Sequence, residues 1–254
     1  MKIVLRKTSL ADYPGKVSAV LFFPGCSLRC PWCHNRDLVL GKEKEQLVTV
    51  DESLAYLKKR RDVLGGAVLS GGEPCLWNEL PYLIPEIKKL KLPVKLDTNG
   101  LHPVMLEKIF SREETRPDYT ALDLKIAPSR YGELLPLDNT AAAAACPDGE
   151  NKSPAPQDPG ENLIQSASLL RRAGIAHEYR SLALPCGFIT EKDIEALAPL
   201  ADSAPWYFRP FRGGNCLDPS WDGLEESTEK ALVRAEALAA KARELGKNGL
   251  CRQF

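Results

Sequence analysis

The fold of this protein is set between residues 17 and 34, where the chain reads VSAVLFFPGCSLRCPWCH. Residues 17–23 form an apolar run, which is typical of a strand buried on both faces of a parallel sheet. Pro24 and Gly25 end this run, because proline stops sheet pairing and glycine favours a turn. The sequence therefore predicts a buried strand that leads directly into a loop with three closely spaced cysteines.

Apolar β-rich runs alternate with amphipathic stretches along the rest of the chain, which is the pattern of βα units. Five further strands are predicted at residues 67–70, 94–98, 119–125, 178–184 and 206–211. Helices are predicted at residues 49–64, 80–90, 161–173, 191–200 and 225–246. This order favours an α/β fold, a partial (β/α)6 barrel in a single domain, with an open doubly wound sheet as the alternative. Both architectures bind ligands at the carboxyl ends of the strands.

Composition and charge limit the class of protein. The 254 residues contain 34 lysines and arginines against 34 aspartates and glutamates, which argues against a dedicated nucleic-acid binder. No run of about 18 apolar residues is present, and the first residues lack the apolar core of a signal peptide. We therefore expect a cytoplasmic protein without a membrane span. Residues 138–160 are rich in Ala, Pro, Gly and Asp, and they predict a surface insertion.

The eight cysteines are unevenly spaced, and three of them lie within eight residues as C-x3-C-x2-C. Thiols this close in a reducing compartment are metal ligands or redox groups, whereas the five isolated cysteines are expected to be small buried residues. Cys30 to His34 matches the c-type haem attachment pattern, and Cys30 with Cys33 matches a redox dithiol, but both interpretations leave Cys26 without a role. Zinc held by the three thiols and His34 is a third interpretation, although His34 directly adjoins Cys33.

A [4Fe–4S] cluster is the interpretation that uses all three thiols. Such clusters ordinarily have four cysteine ligands, so three thiolates leave one iron open to a substrate or cofactor. The loop also follows the first predicted strand, where both candidate architectures bind ligands.

A second motif, Ser70-Gly71-Gly72-Glu73-Pro74, ends the second predicted strand. Taken alone it is a strand-ending turn, because glycine accepts positive φ and proline stops a sheet. It also suits a ligand site, since glycines allow close approach and the Glu73 carboxylate accepts hydrogen bonds from an ammonium-like group.

Together the two motifs resemble the radical S-adenosylmethionine (SAM) family, whose signature is C-x3-C-x2-C with an aromatic residue before the last cysteine. The resemblance implies a partial barrel of the radical SAM type. It also implies a [4Fe–4S] cluster whose fourth iron is chelated by the amine and carboxylate of SAM. The catalytic metal ligands implied are Cys26, Cys30 and Cys33. The SAM contacts implied on these two motifs are Trp32, Gly71, Gly72 and Glu73, with Glu73 at the methionyl amine.

Three later segments extend the resemblance: LDTNG at residues 96–100, LDLK at 122–125 and YRSL at 179–182. Without the first two motifs they would be interpreted as a turn and surface side chains. Similar segments line the SAM pocket in activases of glycyl radical enzymes. The resemblance therefore implies a site for the SAM carboxylate, with a monovalent cation there as a further possibility. The residues implied for that site are Asp97, Thr98, Asp123, Lys125 and Arg180.

Segments near the N-terminal and C-terminal ends of the matching region indicate the subgroup of the radical SAM family. Residues 12–16 (DYPGK), 209–212 (RPFR) and 217–219 (LDP) resemble the activating proteins of anaerobic ribonucleoside-triphosphate reductase. Pyruvate formate-lyase activases usually carry D-G-P-G upstream and a histidine after the last strand, where this chain has Arg212 near the SAM site. No cysteine lies between Cys33 and Glu73, so we expect no second cluster in that interval.

This resemblance implies that the enzyme cleaves SAM reductively and removes a hydrogen atom from a glycine of a glycyl radical enzyme. It also implies an external one-electron donor such as flavodoxin or ferredoxin. The alternatives are an activase of pyruvate formate-lyase or another glycyl radical enzyme, a radical SAM enzyme acting on a small molecule, and a non-catalytic zinc module.

Overall fold

Strands and helices alternate through the residues that the computed structural model describes, 2–42, 47–136, 158–224 and 227–252. The strands are β1 (Lys2–Tyr13), β2 (Lys16–Phe23), β3 (Leu47–Thr49), β4 (Gly66–Gly71), β5 (Val94–Thr98), β6 (Tyr119–Asp123), β7 (Ala176–Ala183), β8 (Trp206–Pro210) and β9 (Gly249–Cys251). The helices are α1 (Arg36–Val39), α2 (Val50–Arg60), α3 (Leu80–Lys89), α4 (Pro103–Phe110), α5 (Pro159–Ala173), α6 (Glu191–Leu197) and α7 (Thr228–Glu244).

All of these strands belong to one sheet with the order β3-β1-β2-β4-β5-β6-β7-β8-β9. The pairings from β2 through β9 are parallel, and β1 and β3 are antiparallel additions at one side. The α/β fold with a parallel sheet is therefore confirmed, and the partial barrel is consistent with this strand order. Parallel strands bring their carboxyl ends to one rim, where the motifs of the sequence meet.

Three strands were not predicted from the sequence. β1 forms a long hairpin with β2, with partners from Val4 and Phe22 to Tyr13 and Lys16. Gly15 supplies the turn with φ of 69°, a conformation that favours glycine. β3 pairs with the first residues of β1, and β9 adds to the far side of β8. β3 and β9 are short edge strands, and β1 is an amphipathic strand between β3 and β2, so all three lack the continuous apolar run that identifies the central strands.

The six predicted strands all occur; β5 has the predicted bounds, and the other five differ by one or two residues at one or both ends. β6 ends at Asp123 because the chain leaves the sheet there, and the Lys125 amide donates to the Tyr131 hydroxyl at 2.9 Å. β8 ends at Pro210, which has no amide to continue the pairing. α3 begins at Leu80 and includes Pro85, so this proline does not shift the start of the helix. The helices α1 and α4 were not predicted.

Caps fix several helix ends that the sequence indicated. Thr49 and Glu52 form a capping box at the start of α2, and Thr190 and Asp193 form another at α6. Gly174 ends α5 with φ of 63°, as predicted. α5 already begins at Pro159, so the end of the predicted insertion at 138–160 is helical and residues 138–157 lie outside the described residues.

The two faces of the sheet differ. Ala19, Leu21 and Phe23 of β2 belong to the main apolar core. Val20 lies between them in sequence and packs instead with Tyr13 and Val68 in a small separate cluster, since side chains alternate along a strand. Because side chains alternate along each strand, one face of the sheet packs in the main core, and the other face can carry charged groups near the carboxyl ends of the strands.

Among the described residues, no helix is long and apolar enough to cross a bilayer.

Candidate active site

A cavity of about 500 Å³ lies at the carboxyl ends of the parallel strands. That volume is typical of a small-molecule or cofactor site. Its lining includes twelve of the thirteen residues that the sequence singled out for cluster and SAM binding; the exception is Glu73. Those twelve are Cys26, Cys30, Trp32, Cys33, Gly71, Gly72, Asp97, Thr98, Asp123, Lys125, Arg180 and Arg212.

The three thiols of the β2 loop are free and line this cavity. Burial raises the pKa of the Cys30 thiol to about 12 and also raises the pKa values of Cys26 and Cys33. A bound metal overcomes this effect, because a coordinating thiol is deprotonated. Three thiols in one short loop form a soft donor set, which suits an iron–sulfur cluster or zinc.

The geometry favours a cluster over a single zinc ion. The three thiols line the cavity from one loop, so each can ligate a different iron of a cluster, whereas a single zinc ion needs a fourth ligand. His34, the fourth ligand required by the zinc interpretation, has its Nε2 only 2.7 Å from the Arg212 carbonyl oxygen. The residues present therefore fit a cluster with three thiolate ligands.

The two glycines after β4 allow backbones to pack closely. A Cβ on Gly72 would lie 1.8 Å from the Gly25 carbonyl oxygen, and Gly71 has φ of 117°. The Gly72 amide donates to the Phe23 carbonyl at 2.8 Å, and the Glu73 amide donates to the Gly25 carbonyl at 2.9 Å. The glycines were predicted to allow close approach at a ligand site. In the structure, they allow the backbone after β4 to pack closely against the start of the cysteine loop.

The structure places Glu73 differently from the sequence prediction. Its side chain is fully buried and does not line the cavity. Its carboxylate accepts hydrogen bonds from the Cys75 amide at 3.0 Å, the Thr98 hydroxyl at 2.8 Å and the Asn99 amide at 2.7 Å. Burial raises the pKa of Glu73, and these hydrogen bonds act in the opposite direction. The geometry therefore indicates a carboxylate that ties the β4 and β5 loops together.

Replacing Glu73 with alanine is expected to lower the free energy of unfolding by about 3 kcal/mol, because several buried donors lose their acceptor. Urea unfolding of the loaded protein measures this change. Glu114→Ala, on an exposed site, is the matched control and should change stability by less than about 0.5 kcal/mol. A Glu73→Ala variant with unchanged stability but much weaker SAM binding would instead support the predicted contact between Glu73 and the methionyl amine.

Two carboxylates and three cations form a network under the cavity. Asp97 Oδ1 contacts Lys95 Nζ, and Asp97 Oδ2 accepts from Ser70 Oγ at 2.9 Å and lies 3.2 Å from Arg180 Nη1. Arg180 Nε also donates to Asp123 Oδ1 at 2.8 Å. Lys125 Nζ donates to Asp123 Oδ2 at 3.0 Å. Arg180 therefore links β5, β6 and β7 through these ion pairs. We call this charged network at the base of the cavity the Arg180 floor.

The charges of this network keep both carboxylates ionised. Burial alone would raise the pKa of Asp97, but the charges of Arg180 and Lys95 outweigh burial and hold it below its ordinary value. The pKa of Asp123 is lowered in the same way, with Arg180 and Lys125 outweighing burial. The network consequently stays charged at neutral pH.

Sequence reasoning missed Arg209 in this site. Arg209 lines the cavity, and its buried Nε has no hydrogen-bond partner among the described residues. Burial first, and the nearby Arg180 charge second, lower the pKa of Arg209. An anionic group in the cavity would satisfy this guanidinium. The alternation of side chains along β8 was the available signal, since it puts Arg209 on the same face as Tyr207 and opposite the buried Phe208.

Four rings cover the cysteine loop from outside; we call Trp32, Phe188, Phe211 and Trp221 the aromatic cover. Trp32 lies 5.0 Å from Phe188 and 5.3 Å from Trp221 between ring centroids, and Phe211 lies 5.9 Å from Trp221. The Asp218 amide donates to the Pro31 carbonyl at 2.9 Å and fixes this segment to the loop. Such packing holds Trp32 of the cysteine loop against residues far apart in the sequence.

The isolated cysteines differ in their surroundings. Cys75 and Cys216 are buried as expected, whereas Cys251 is half-buried and Cys186 is exposed, contrary to the prediction. Cys186 sits in a turn with φ of 56°, which explains why it leaves the core. Cys146 lies outside the described residues.

Comparison with known proteins assigns the family. The model of the radical SAM superfamily matches residues 20–201, which include the cysteine loop and the motifs at residues 70–74, 96–100, 122–125 and 179–182. This chain belongs to the radical SAM superfamily. Radical SAM proteins use a [4Fe–4S] cluster and SAM, so the chain is a radical SAM enzyme with these two cofactors. The cavity and its thiols give them a site.

Curated radical SAM relatives are activating enzymes. A Methanocaldococcus jannaschii protein, provisionally named a glycyl-radical enzyme activating enzyme, is 30% identical over 92% of this chain and 89% of its own length. A pyruvate formate-lyase-activating enzyme of Staphylococcus aureus is 34% identical over 45% of this chain and 48% of its own length. This chain thus spans most of the first relative and about half of the second.

Solved radical SAM structures share the fold. A radical SAM methyltransferase from Sphaerobacter thermophilus superposes with a TM-score of 0.60 at 15% identity, over 95% of this chain and 67% of that one. Streptococcus suis SuiB gives a TM-score of 0.57 at 14% identity, over 92% of this chain and 51% of that one. At such low identity the likeness concerns the fold alone.

Proposed function

We propose that this radical SAM enzyme activates a glycyl radical enzyme, and that its target is anaerobic ribonucleoside-triphosphate reductase. The observation that carries the proposal is that Asp12 and Arg212 line the same cavity as the cysteines. Asp12 precedes the first parallel strand, and Arg212 follows the sixth one. The full-length similarity to a glycyl-radical enzyme activating enzyme also supports the reaction class.

The choice of target protein rests on the segments at the two ends of the region that resembles the family. Asp12-Tyr13-Pro14-Gly15 and Arg212 follow the reductase-activating type, in which no histidine is required after Phe211. The matches to pyruvate formate-lyase-activating enzymes favour the same chemistry on a different partner, and they cover a smaller part of the chain.

When bound, the cluster and SAM together supply one-electron cleavage of the sulfonium and hydrogen-atom abstraction from the target glycine. Cys26, Cys30 and Cys33 would hold the cluster, and the Arg180 floor would orient the SAM carboxylate. The aromatic cover excludes water from the reacting groups. Hydrogen-atom abstraction needs no side-chain base, so no general base is assigned. The electron comes from an external one-electron donor, for which we propose flavodoxin or ferredoxin.

A protein loop must enter the cavity for this reaction. Asp12 lies 3.8 Å from Arg6, which in turn covers the Phe22 ring at 4.9 Å, so these residues form one wall of the opening. Arg212 lines the same cavity, and its carbonyl oxygen contacts the His34 side chain. Charged residues at such a rim orient a partner more than they add affinity.

The test compares two activities of the same loaded enzyme. We expect Asp12→Asn and Arg212→Gln to lower the ratio of glycyl radical formed on the reductase to 5′-deoxyadenosine released by about tenfold. Electron paramagnetic resonance measures the radical, and chromatography measures the nucleoside. Asp62→Asn, at an exposed site in the turn after α2, is the matched control and should leave the ratio unchanged.

Three outcomes would contradict the proposal. If radical formation and SAM cleavage fell equally, and stability fell with them, Asp12 and Arg212 would have only structural roles. A radical on pyruvate formate-lyase but none on the reductase would change the target. Turnover of a small metabolite with no radical on any protein would replace the activase function with small-molecule chemistry.

A further inference from the structure

The carboxylates under the cavity have no oxygen left for a metal cation. The family resemblance admitted a monovalent cation at Asp97, Thr98 and Asp123. In the structure, each of the four carboxylate oxygens of Asp97 and Asp123 contacts a cationic nitrogen of Lys95, Arg180 or Lys125. The Thr98 hydroxyl donates to Glu73 at 2.8 Å and accepts from the Gly100 amide at 3.1 Å. These residues therefore do not fit a further cation.

Lys95 is the unusual member of this group. It lies two residues before Asp97 on β5, so both side chains project from the same face of the strand. Lys95 is only 1% exposed, and its Nζ donates to Asp97 Oδ1. Burying an ammonium group is costly unless it is paired, so its position needs a reason beyond packing.

The balance of charge gives that reason. Asp97 and Asp123 carry two negative charges, and Lys95, Arg180 and Lys125 carry three positive ones. One positive charge therefore exceeds the carboxylates within this network, as a bound monovalent cation would provide, while Arg209 of the lining and the buried Glu178 beside Arg180 add charges of opposite sign. The carboxylate of SAM is the anion that would complete the balance in this cavity.

We propose that Lys95 Nζ is a built-in replacement for a bound monovalent cation, so that SAM binding in this enzyme needs no such ion. Lys95 acts as a positioning residue: it shares the charge of Asp97 with Arg180, so that Arg180, which lines the cavity, keeps positive charge to orient the SAM carboxylate. The inference rests on SAM binding in the cavity and is independent of the identity of the protein target.

The first test is the affinity of the cluster-loaded enzyme for SAM by calorimetry, with potassium, sodium or choline as the sole monovalent cation. Choline is too large for the position. The wild type is expected to bind SAM with the same affinity in all three. A loss of about tenfold or more in choline would overturn the proposal, and this measurement needs no variant.

The second test uses Lys95→Ala and Lys95→Met. Lys95→Ala leaves space, and we expect SAM affinity to fall about tenfold in choline and to recover in potassium or ammonium. Lys95→Met fills the space without charge, so its loss should not be rescued. Lys192→Ala, at an exposed position on α6, is the matched control and should bind as the wild type does. Full SAM affinity of Lys95→Ala in choline would overturn the proposal; if that variant does not fold, the wild-type comparison decides.

Discussion

Replacing Cys30 with alanine is expected to abolish both cluster assembly and SAM cleavage. Two thiolates leave the cluster without a stable ligand set, because iron–sulfur clusters are held by cysteine thiolates. The same loss is expected for Cys26→Ala and Cys33→Ala, since all three line the cavity from one loop. Iron and sulfide analysis after anaerobic reconstitution measures assembly, and release of 5′-deoxyadenosine measures cleavage.

Two isolated cysteines provide controls for that experiment. Cys186→Ala removes an exposed thiol, and Cys251→Ala removes a half-buried one, so both should retain cluster and activity. The wild type should be brown and oxygen-sensitive. Stoichiometric zinc without iron after reconstitution would contradict the cluster, and a cluster retained by Cys30→Ala would remove that thiol from the ligand set.

Replacing Gly72 with alanine is expected to lower the free energy of unfolding by at least about 3 kcal/mol. The added Cβ would lie 1.8 Å from the Gly25 carbonyl oxygen, which is backbone and cannot rotate away. The β4 loop must then separate from the cysteine loop, so cluster retention should fall as well. Urea unfolding and iron content measure the two effects.

Gly132→Ala is the matched control, because a Cβ at Gly132 would meet no atom within 4 Å. Its stability should equal or slightly exceed that of the wild type, since alanine restricts the unfolded chain. A Gly72→Ala variant with wild-type stability would mean that the two loops are not held together as described.

The sequence was sufficient to predict the central strands because their signal is local. The apolar run of β2 and the matched 94–98 bounds of β5 depend only on neighbouring residues. β1 is amphipathic and β9 is a three-residue edge strand, so their own residues carry a weak signal. α4 was missed although Pro103 at its start is compatible with a helix, because its eight residues give only a short apolar pattern.

The candidate site was predicted as a set of residues but not as a set of contacts. The resemblance to the family implied Asp97, Asp123 and Arg180, which lie on the neighbouring parallel strands β5, β6 and β7. It could not show that Glu73 binds Asn99 across a loop, since that pairing joins backbone and side chain over 26 residues. The contact between Lys95 and Asp97 could not be predicted either, because a lysine within an apolar strand belongs to no recognisable motif.

The aromatic cover has a consequence for biosynthesis. His34 contacts the Arg212 carbonyl across 178 positions of sequence, and the Asp218 amide binds Pro31. Because a ribosome releases the chain from its N-terminal end first, the cysteine loop emerges long before the residues that shield it. The aromatic cover can therefore pack beside the loop only after residues 211 to 221 have been synthesised, so the last part of the chain completes the surroundings of the first motif.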